Sequence, residues 1–275
     1  SDGPAETRQR SVRSAGRTTR AVDSLTLPGA VLWDKAVADG TADTIDWGER
    51  CDTRDGRLAI PVSARPACFA PFRGDNGGAT DTGVTATSIK VVVYLPQADD
   101  PVLSFVYSQI RNDDTTDDQW ATYQAFSELF SHYYETYGRH VKLIVLKASG
   151  APDDDAAARA DAIKVATEYK AFASFGGPAE TEAYAQELAA RHVLCLGDCM
   201  LASSQKFVDQ RAPYIWLTLP AVDQSAQHWA NFVSRQLAGR PAVYAGDPAL
   251  KKQKRVFGIV RFDEQFANFD EAGKA

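Results

Sequence analysis

Hydrophobic and polar positions between Val141 and Cys199 follow a repeating strand-and-helix pattern. Short runs rich in β-branched and other apolar residues alternate with Ala-rich segments of the length that a crossover helix needs; the runs are residues 141–146, 171–175 and 193–196. Strands joined by such helices must lie parallel. The pattern therefore predicts an α/β fold with a doubly wound parallel sheet.

The same pattern continues on both sides of this stretch. It predicts an opening strand at 89–95 and, nearer the carboxyl end, a strand at 214–217, a helix at 223–237 and a last strand at 255–261. A long helix, capped by Thr116 or Asp117, carries aromatic residues at three- or four-residue spacing: Trp120, Tyr123, Phe126, Phe130, Tyr133 and Tyr137. Because such a stripe is typical of a core face, we expect these rings to be buried.

Small and polar residues follow the predicted strands, at 148–150, 176–181 and 197–199. Open parallel sheets bind ligands in the crevice at the carboxyl ends of their strands. The layout therefore predicts a small-molecule site at this edge of the sheet.

The amino-terminal part of the chain has a different composition. Residues 1–20 are rich in arginine and poor in apolar residues, so we expect a flexible basic segment that cannot order itself. Residues 21–82 hold isolated apolar clusters among many turn residues, and predict an irregular extension that wraps a domain.

Four cysteines divide into two local pairs, Cys51 with Cys68 and Cys195 with Cys199. Disulfides within each pair are the simplest arrangement, and they predict an oxidising compartment outside the cytosol. A zinc site is the rival interpretation, although the spacings do not match the tight knuckles of structural zinc sites. Free buried thiols are a third interpretation.

Charge and hydropathy exclude two classes of function. The 275-residue chain has a net charge of −6 and no basic cluster with interleaved aromatics in its predicted folded part, which argues against nucleic-acid binding. Its apolar runs are shorter than the roughly 18 residues that a membrane span needs, which argues against a direct membrane span.

Several sequence segments together resemble one protein family. They are GVTATSIKVVVYLP, YYETYGRHVKLIVL, DDDAAARADAIKVATEYKAFASFGGPAETEAYAQELAARHVLCLG, RAPYIWLTLP and KRVFGIVRFDE. In this order they resemble the type I periplasmic binding protein fold, in the branched-chain amino acid (Leu/Ile/Val) binding family of ABC transporter substrate-binding proteins. The amino-terminal extension is most similar to that of secreted actinobacterial members.

The resemblance implies a first α/β ligand-binding lobe at 83–250 and an incomplete start of a second lobe at 251–275. It further implies an extracellular or cell-envelope solute receptor that binds a small polar molecule, such as an amino acid or amide, and delivers it to the membrane permease of an ABC transporter. No enzymatic activity, cofactor or metal is expected from it.

Ligand contacts in this family come from the loops after successive strands, where backbone amides and small hydroxyls hold a carboxylate. By position, the resemblance points to eight residues: Gln97, Ala98, Ala179, Glu180, Thr181, Asp198, Cys199 and Met200. Glu180 and Asp198 would repel a carboxylate, and better suit an amine, an amide or a polyhydroxyl ligand. Both acids could instead cap helices or face solvent.

Two other classes of function stay open. A cell-surface or assembly module on the same fold would expose an apolar patch rather than bind a soluble ligand. An α/β enzyme is the weaker alternative, because the four histidines show no metal-binding spacing and the sequence has no G-x-S-x-G elbow.

Overall fold

The computed structural model describes residues 31–110, 113–197, 199–200 and 203–258. The predicted basic segment at 1–20, most of the predicted second-lobe start and the candidate residue Asp198 lie outside these ranges. The chain divides into two compact units, Ser1–Gly74 and Asp75–Ala275. The domain boundaries inferred from the sequence stay a prediction.

The first unit is small and held by a disulfide. Its elements are α1 (Trp33–Ala38), a 3-10 turn (Ala42–Thr44) and an antiparallel hairpin of β1 (Cys51–Asp52) and β2 (Arg57–Leu58). Cys51 is bonded to Cys68, with 5.5 Å between their Cα atoms, so the predicted pair is confirmed. Beside it the rings of Trp33 and Trp47 lie 4.9 Å apart, in a small core whose buried members are Ala36, Trp47 and Cys68.

The second unit contains a five-stranded sheet in which every pair is parallel. Its strands are β3 (Ser88–Leu95), β4 (His140–Lys147), β5 (Ala173–Phe175), β6 (Leu194–Leu196) and β7 (Ile215–Trp216). They lie in the order β4-β3-β5-β6-β7, so the first two strands exchange places relative to the chain. The predicted doubly wound α/β fold is confirmed.

The helices of this unit follow the predicted alternation, with two additions. They are α2 (Pro101–Ile110), α3 (Thr116–Tyr133), α4 (Asp155–Thr167), α5 (Ala183–Ala190), α6 (Gln205–Asp209) and α7 (Val222–Phe232), the last continuing into a π-helical turn (Val233–Leu237). The sequence pattern missed α2 and α6. The last predicted strand does not form over 255–258, and its remainder lies outside the described residues.

A dense core fills the space between the sheet and helices α4 and α5. Strand β3 sends Val92 and Tyr94 to this face, and the helices meet them with Val165, Tyr184 and Leu188, all buried. The Tyr184 hydroxyl shares a 2.6 Å hydrogen bond with Ser174 Oγ of β5. This satisfies both buried hydroxyl groups.

Helix α3 covers the opposite face, where Val91 and Val93 of β3 point. Its amino end is capped by Thr115 rather than by the predicted Thr116 or Asp117, because Thr115 and Asp118 form a reciprocal capping box. No described residue of α3 is buried, and the side chains of Phe126 and Phe130 are 51% and 44% exposed. The prediction of a buried aromatic stripe is therefore wrong.

Candidate functional site

The strand order places a crevice between β3 and β5. From β3 the chain passes through α3 to β4 on one side, then returns through α4 on the other face to β5. The segments that leave β3 and β5 therefore go to opposite faces of the sheet, since α3 covers one face and α5 the other. In doubly wound sheets this switch point, at the carboxyl ends of the strands, is where ligands bind.

Gln97 and Ala98 follow β3 and line a cavity of about 230 Å³. The rest of the wall comes from α2, from the segment before α3 and from the first turn of α3: Ser104, Tyr107, Asp114, Thr115, Thr116 and Gln119. Gln119 Nε2 donates a 2.7 Å hydrogen bond to the Tyr107 hydroxyl. The cavity thus offers amide and hydroxyl groups around one phenol ring, the kind of wall that orients a small polar ligand.

The loop after β5 carries Ala179, Glu180 and Thr181. The Glu180 backbone amide donates to the carbonyl of Pro152, 3.1 Å away, which ties this loop to the one after β4. The Thr181 hydroxyl donates to Asp155 and accepts the amide of Ala183 at 3.0 Å. Thr181 is buried and its hydroxyl is engaged at the start of α5, so a contact between this hydroxyl and a ligand stays a prediction.

Glu180 is half-buried among other acids. Burial raises the pKa of its carboxyl, and the nearby charges of Asp153 and Asp100 raise it further. Burial also raises the pKa of the Tyr107 phenol, with smaller contributions from Tyr123, Asp114 and Asp100. Asp100 in the loop after β3 and Asp153 in the loop after β4 thus act electrostatically on Glu180 in the loop after β5.

Cys199 and Met200 follow β6, and both side chains are buried in the main core. Cys199 is bonded to Cys195, so the second predicted pair is confirmed; their Cα atoms are 5.9 Å apart. Because the two side chains point into the core, only main-chain groups of these residues could face a ligand. The neighbouring Asp198 lies outside the described residues.

Gly177 shows how closely the loops after β5 and β6 approach each other. A Cβ atom built on Gly177 would lie 2.1 Å from the carbonyl oxygen of Cys199. Any side chain here would force the two loops apart. Gly177 is therefore a packing requirement at the candidate site.

A second cavity, missed by the sequence interpretation, lies between α3 and the sheet. It has a volume of about 470 Å³ and an almost entirely apolar wall. The wall is formed by Val91, Val93, Val141, Leu143 and Phe175 of the sheet, by Tyr123, Phe126 and Phe130 along α3, and by Tyr134 at the C-cap of that helix. In the sequence, the three- or four-residue spacing of the aromatic residues in α3 was the signal that could have pointed to this cavity. It marked the face that turns toward the sheet, but not the space left between them.

Within the described residues, no cluster of three or more His, Cys, Asp or Glu side chains is arranged to hold a metal ion. Among the described helices, none has the length and apolar character needed to cross a membrane.

Comparisons with known proteins give matches only at the level of solved structures. No family model and no curated protein sequence matches the chain. The structure of the branched-chain amino acid transporter substrate-binding protein LivJ from Streptococcus pneumoniae, in complex with isoleucine, is 14% identical over 55% of this chain and 39% of its own, with a TM-score of 0.39.

Two further solved structures are similar to the same extent. The leucine-binding protein LivK from Thermotoga maritima is 17% identical over 54% of this chain and 37% of its own, with a TM-score of 0.37. The fatty acid ABC transporter substrate-binding protein from Thermomonospora curvata is 16% identical over 57% and 36%, with a TM-score of 0.38.

The chain thus spans less than two fifths of the length of each of these proteins. Each of the three TM-scores is below 0.5. The solved structures that this chain resembles are ABC transporter substrate-binding proteins, including branched-chain amino acid binding proteins, which is the class that the sequence resemblance named.

Proposed function

We propose that the unit Asp75–Ala275 is a ligand-binding lobe of an extracellular solute-binding protein that serves an ABC-type transporter. In this proposal the lobe binds a small polar molecule, of the size of an amino acid or amide, at the carboxyl edge of its sheet. The ligand is passed unchanged to a membrane permease, and no cofactor takes part. A second lobe would supply further contacts by closing over the ligand.

The strand order β4-β3-β5-β6-β7 is the observation that carries this proposal. It makes the loops after β3 and β5 diverge and leaves an open crevice. Five of the sequence-predicted residues belong to these two loops: Gln97, Ala98, Ala179, Glu180 and Thr181. Polar groups line the cavity beside Gln97, and the loops after β4 and β5 are joined by a hydrogen bond. A rigid rim with adaptable polar groups suits reversible binding.

The two confirmed disulfides support the proposed location outside the cytosol. Structural disulfides persist in oxidising compartments such as the periplasm and the extracellular space. The bond between Cys195 and Cys199 also fixes the loop after β6 directly beside the candidate site. We therefore expect treatment with a reducing agent to weaken ligand binding before it unfolds the sheet.

A titration followed by nuclear magnetic resonance tests the proposed site. The 275-residue chain is titrated with isoleucine, glutamine, putrescine, glucose and 4-hydroxybenzoate. A binding compound should shift the backbone amides of Gln97, Ala98, Ala179 and Glu180, and should leave unchanged that of His192, which precedes β6 at the opposite edge.

Substitutions then test the loop after β3 and the loop after β5 independently. Gln97→Ala and Glu180→Ala should weaken the interaction while the spectrum of the folded protein is retained. Thr181→Val is a less direct probe, because it also removes the hydrogen bond to Asp155. If no compound shifts an amide at this edge, the proposed function is wrong; if a compound binds and both alanine variants retain full affinity, the site lies on other loops.

The surface of α7 favours the alternative of an assembly module. Trp229 is 64% exposed and packs edge to face with Phe232, which is itself 43% exposed. Exposed aromatic side chains of this size often mark protein interfaces. Sedimentation velocity over a range of concentrations checks this: self-association that Trp229→Ser abolishes, together with no response to any small molecule, would favour the assembly module.

A further inference from the structure

The apolar cavity between α3 and the sheet, which we call the α3 cavity, has the size of a small-molecule pocket. Its volume of about 470 Å³ lies within the usual range of ligand pockets in proteins. Apolar cavities stay dry, and one of roughly 150 Å³ already holds benzene. The α3 cavity therefore has room for an apolar molecule of about two fused rings.

Contacts near both ends of α3 hold the helix above this space. Toward its amino end, the ring of Tyr123 meets the ring of Phe175 of β5 edge to face, with 5.7 Å between the centroids. Just after its carboxyl end, Asn76 Nδ2 donates a 2.8 Å hydrogen bond to the carbonyl of Tyr137, and Arg139 donates one of 2.6 Å to the carbonyl of Asn76. The helix cannot close onto the sheet without disturbing these contacts, so the cavity is part of the architecture.

The wall of the α3 cavity offers hydroxyl groups but no charge. None of the described residues that line it is charged, and its serines, Ser127 and Ser131, lie on α3 among aromatic rings. Ser127 is half-buried, and its hydroxyl makes no hydrogen bond to any described residue. A ligand carboxylate would lose its hydration here without gaining a cationic partner, which is costly, whereas a neutral hydroxyl or carbonyl group could pair with Ser127.

A segment of another protein fits this space poorly. With its side chains a helix is about 10–12 Å across, so a volume of this size encloses only about one turn of it. An added strand cannot pair with β3 or β5, because each of these strands already has a neighbour on both sides. A small molecule is the occupant that matches the cavity.

We propose that the α3 cavity binds a neutral, largely apolar small molecule of about two fused rings that carries one hydrogen-bonding group. The ligand packs against the sheet and covers the rings of Phe126 and Phe130, which are otherwise 51% and 44% exposed. Its polar group pairs with the hydroxyl of Ser127. The α3 cavity shares no lining residue with the cavity beside Gln97, so this inference is independent of the proposed function.

Three probes that share one ring system test this site. The 275-residue chain is titrated with 1-naphthol, naphthalene and 1-naphthoate, and backbone amide and methyl signals are followed by nuclear magnetic resonance. Saturating 1-naphthol should shift the methyl groups of Val91 and Leu143 and the amide of Ser127, and should leave the amides of Gln97 and Ala98 unchanged. It should bind at least about tenfold more tightly than 1-naphthoate, whose charge has no partner in the wall.

Matched substitutions on α3 assign the binding to the cavity. Ser127→Trp places a large ring in the space and should weaken both 1-naphthol and naphthalene by at least about tenfold. Gln124→Trp is its control, because Gln124 is exposed on the same helix and does not line the cavity. Ser127→Ala leaves the space open but removes the hydroxyl, so it should weaken 1-naphthol by about threefold to tenfold and leave naphthalene unchanged.

Four results would overturn the inference. They are no saturable shift at the cavity with 1-naphthol or naphthalene, equal or tighter binding of 1-naphthoate, equal affinities in Ser127→Trp and Gln124→Trp, and equal losses of 1-naphthol and naphthalene in Ser127→Ala. Sedimentation velocity adds a fifth: a dimer that Ser127→Trp dissociates would make a second copy of the chain the occupant. Each of these results leaves the proposed function in place, because that function is tested at the loops after β3 and β5.

Discussion

The two faces of the central sheet are built differently, although the same strands supply both. On one face, α4 and α5 pack against Val92, Tyr94 and their neighbours, and leave Tyr184 and Leu188 fully buried. On the other face, α3 lies over Val91 and Val93 with a cavity of about 470 Å³ between helix and sheet. One face has the packing of a protein interior, and the other is an open apolar groove.

Side-chain size accounts for much of this difference. The packed face is rich in alanine along α4 and α5, including Ala158, Ala162 and Ala185, and small side chains let helix and sheet backbones approach closely. Helix α3 instead presents large rings such as Phe126 and Phe130, stacked 6.0 Å apart and half exposed. An apolar stripe therefore shows which face of a helix turns inward, but not how completely that face is filled.

The largest effect should come from truncation on the packed face. Leu188 is fully buried between α5 and the sheet, so Leu188→Ala loses its transfer free energy and leaves a cavity. We expect the free energy of unfolding to fall by about 2–5 kcal/mol. Urea unfolding followed by circular dichroism measures it, and a loss below about 1 kcal/mol would show that this face is no better packed than the other.

A smaller loss should follow from Tyr184→Phe, which keeps the ring on the packed face but removes its hydroxyl. Ser174 Oγ, fully buried, then loses its 2.6 Å hydrogen bond. We expect the free energy of unfolding to fall by about 1–3 kcal/mol, the cost of an unsatisfied buried polar group. The double variant with Ser174→Ala should recover part of this loss; no recovery would mean that the hydrogen bond is not the cause.

On the open face, Phe126→Ala should have a modest effect. The ring is 51% exposed, so its removal gives up only about half of its surface as buried area, and it creates no enclosed void. We expect a loss of less than about 1 kcal/mol on the scale of surface changes. Unfolding in urea beside Leu188→Ala gives the comparison directly, and a loss of 3 kcal/mol or more would show that α3 is packed onto the sheet in solution.

Glu180→Gln should have the smallest effect, and one of opposite sign. Burial and nearby acids raise the pKa of Glu180 above its ordinary value of 4.5, so the folded protein binds a proton at this site more readily than the unfolded chain. Stability therefore falls as the pH rises through the window between the two pKa values. Above that window the variant should be slightly more stable than the parent, because its side chain at position 180 is neutral.

Melting temperatures of the variant and the parent at several pH values check the sign. The difference should be present at pH 7 and vanish below pH 4.5, where Glu180 is protonated in both states. A difference that grows toward acid pH would contradict the assignment. Glu168→Gln, at the exposed end of α4, controls for the general loss of one negative charge.

Much of the candidate site could be located from the sequence, but not its chemistry. The loops after β3, β5 and β6 were found because strand ends are marked by small and polar residues, and parallel strands bring those ends to one edge. The sequence did not reveal that Thr181 is engaged with Asp155, or that the side chains of Cys199 and Met200 turn into the core. Neighbours distant along the chain decide where such side chains point.

Local patterns in the sequence by themselves determined the α/β class and the parallel sheet, because both depend on periodicity. They made two local disulfide pairs the simplest arrangement, because the cysteines of each pair are close along the chain, and the structure showed both bonds. The order of β3 and β4, the cap at Thr115 and the unfilled space beneath α3 were decided only by the tertiary structure. The physical reason is that periodicity fixes the direction in which an apolar side chain points, whereas the burial of that side chain depends on whether another helix or strand packs against it.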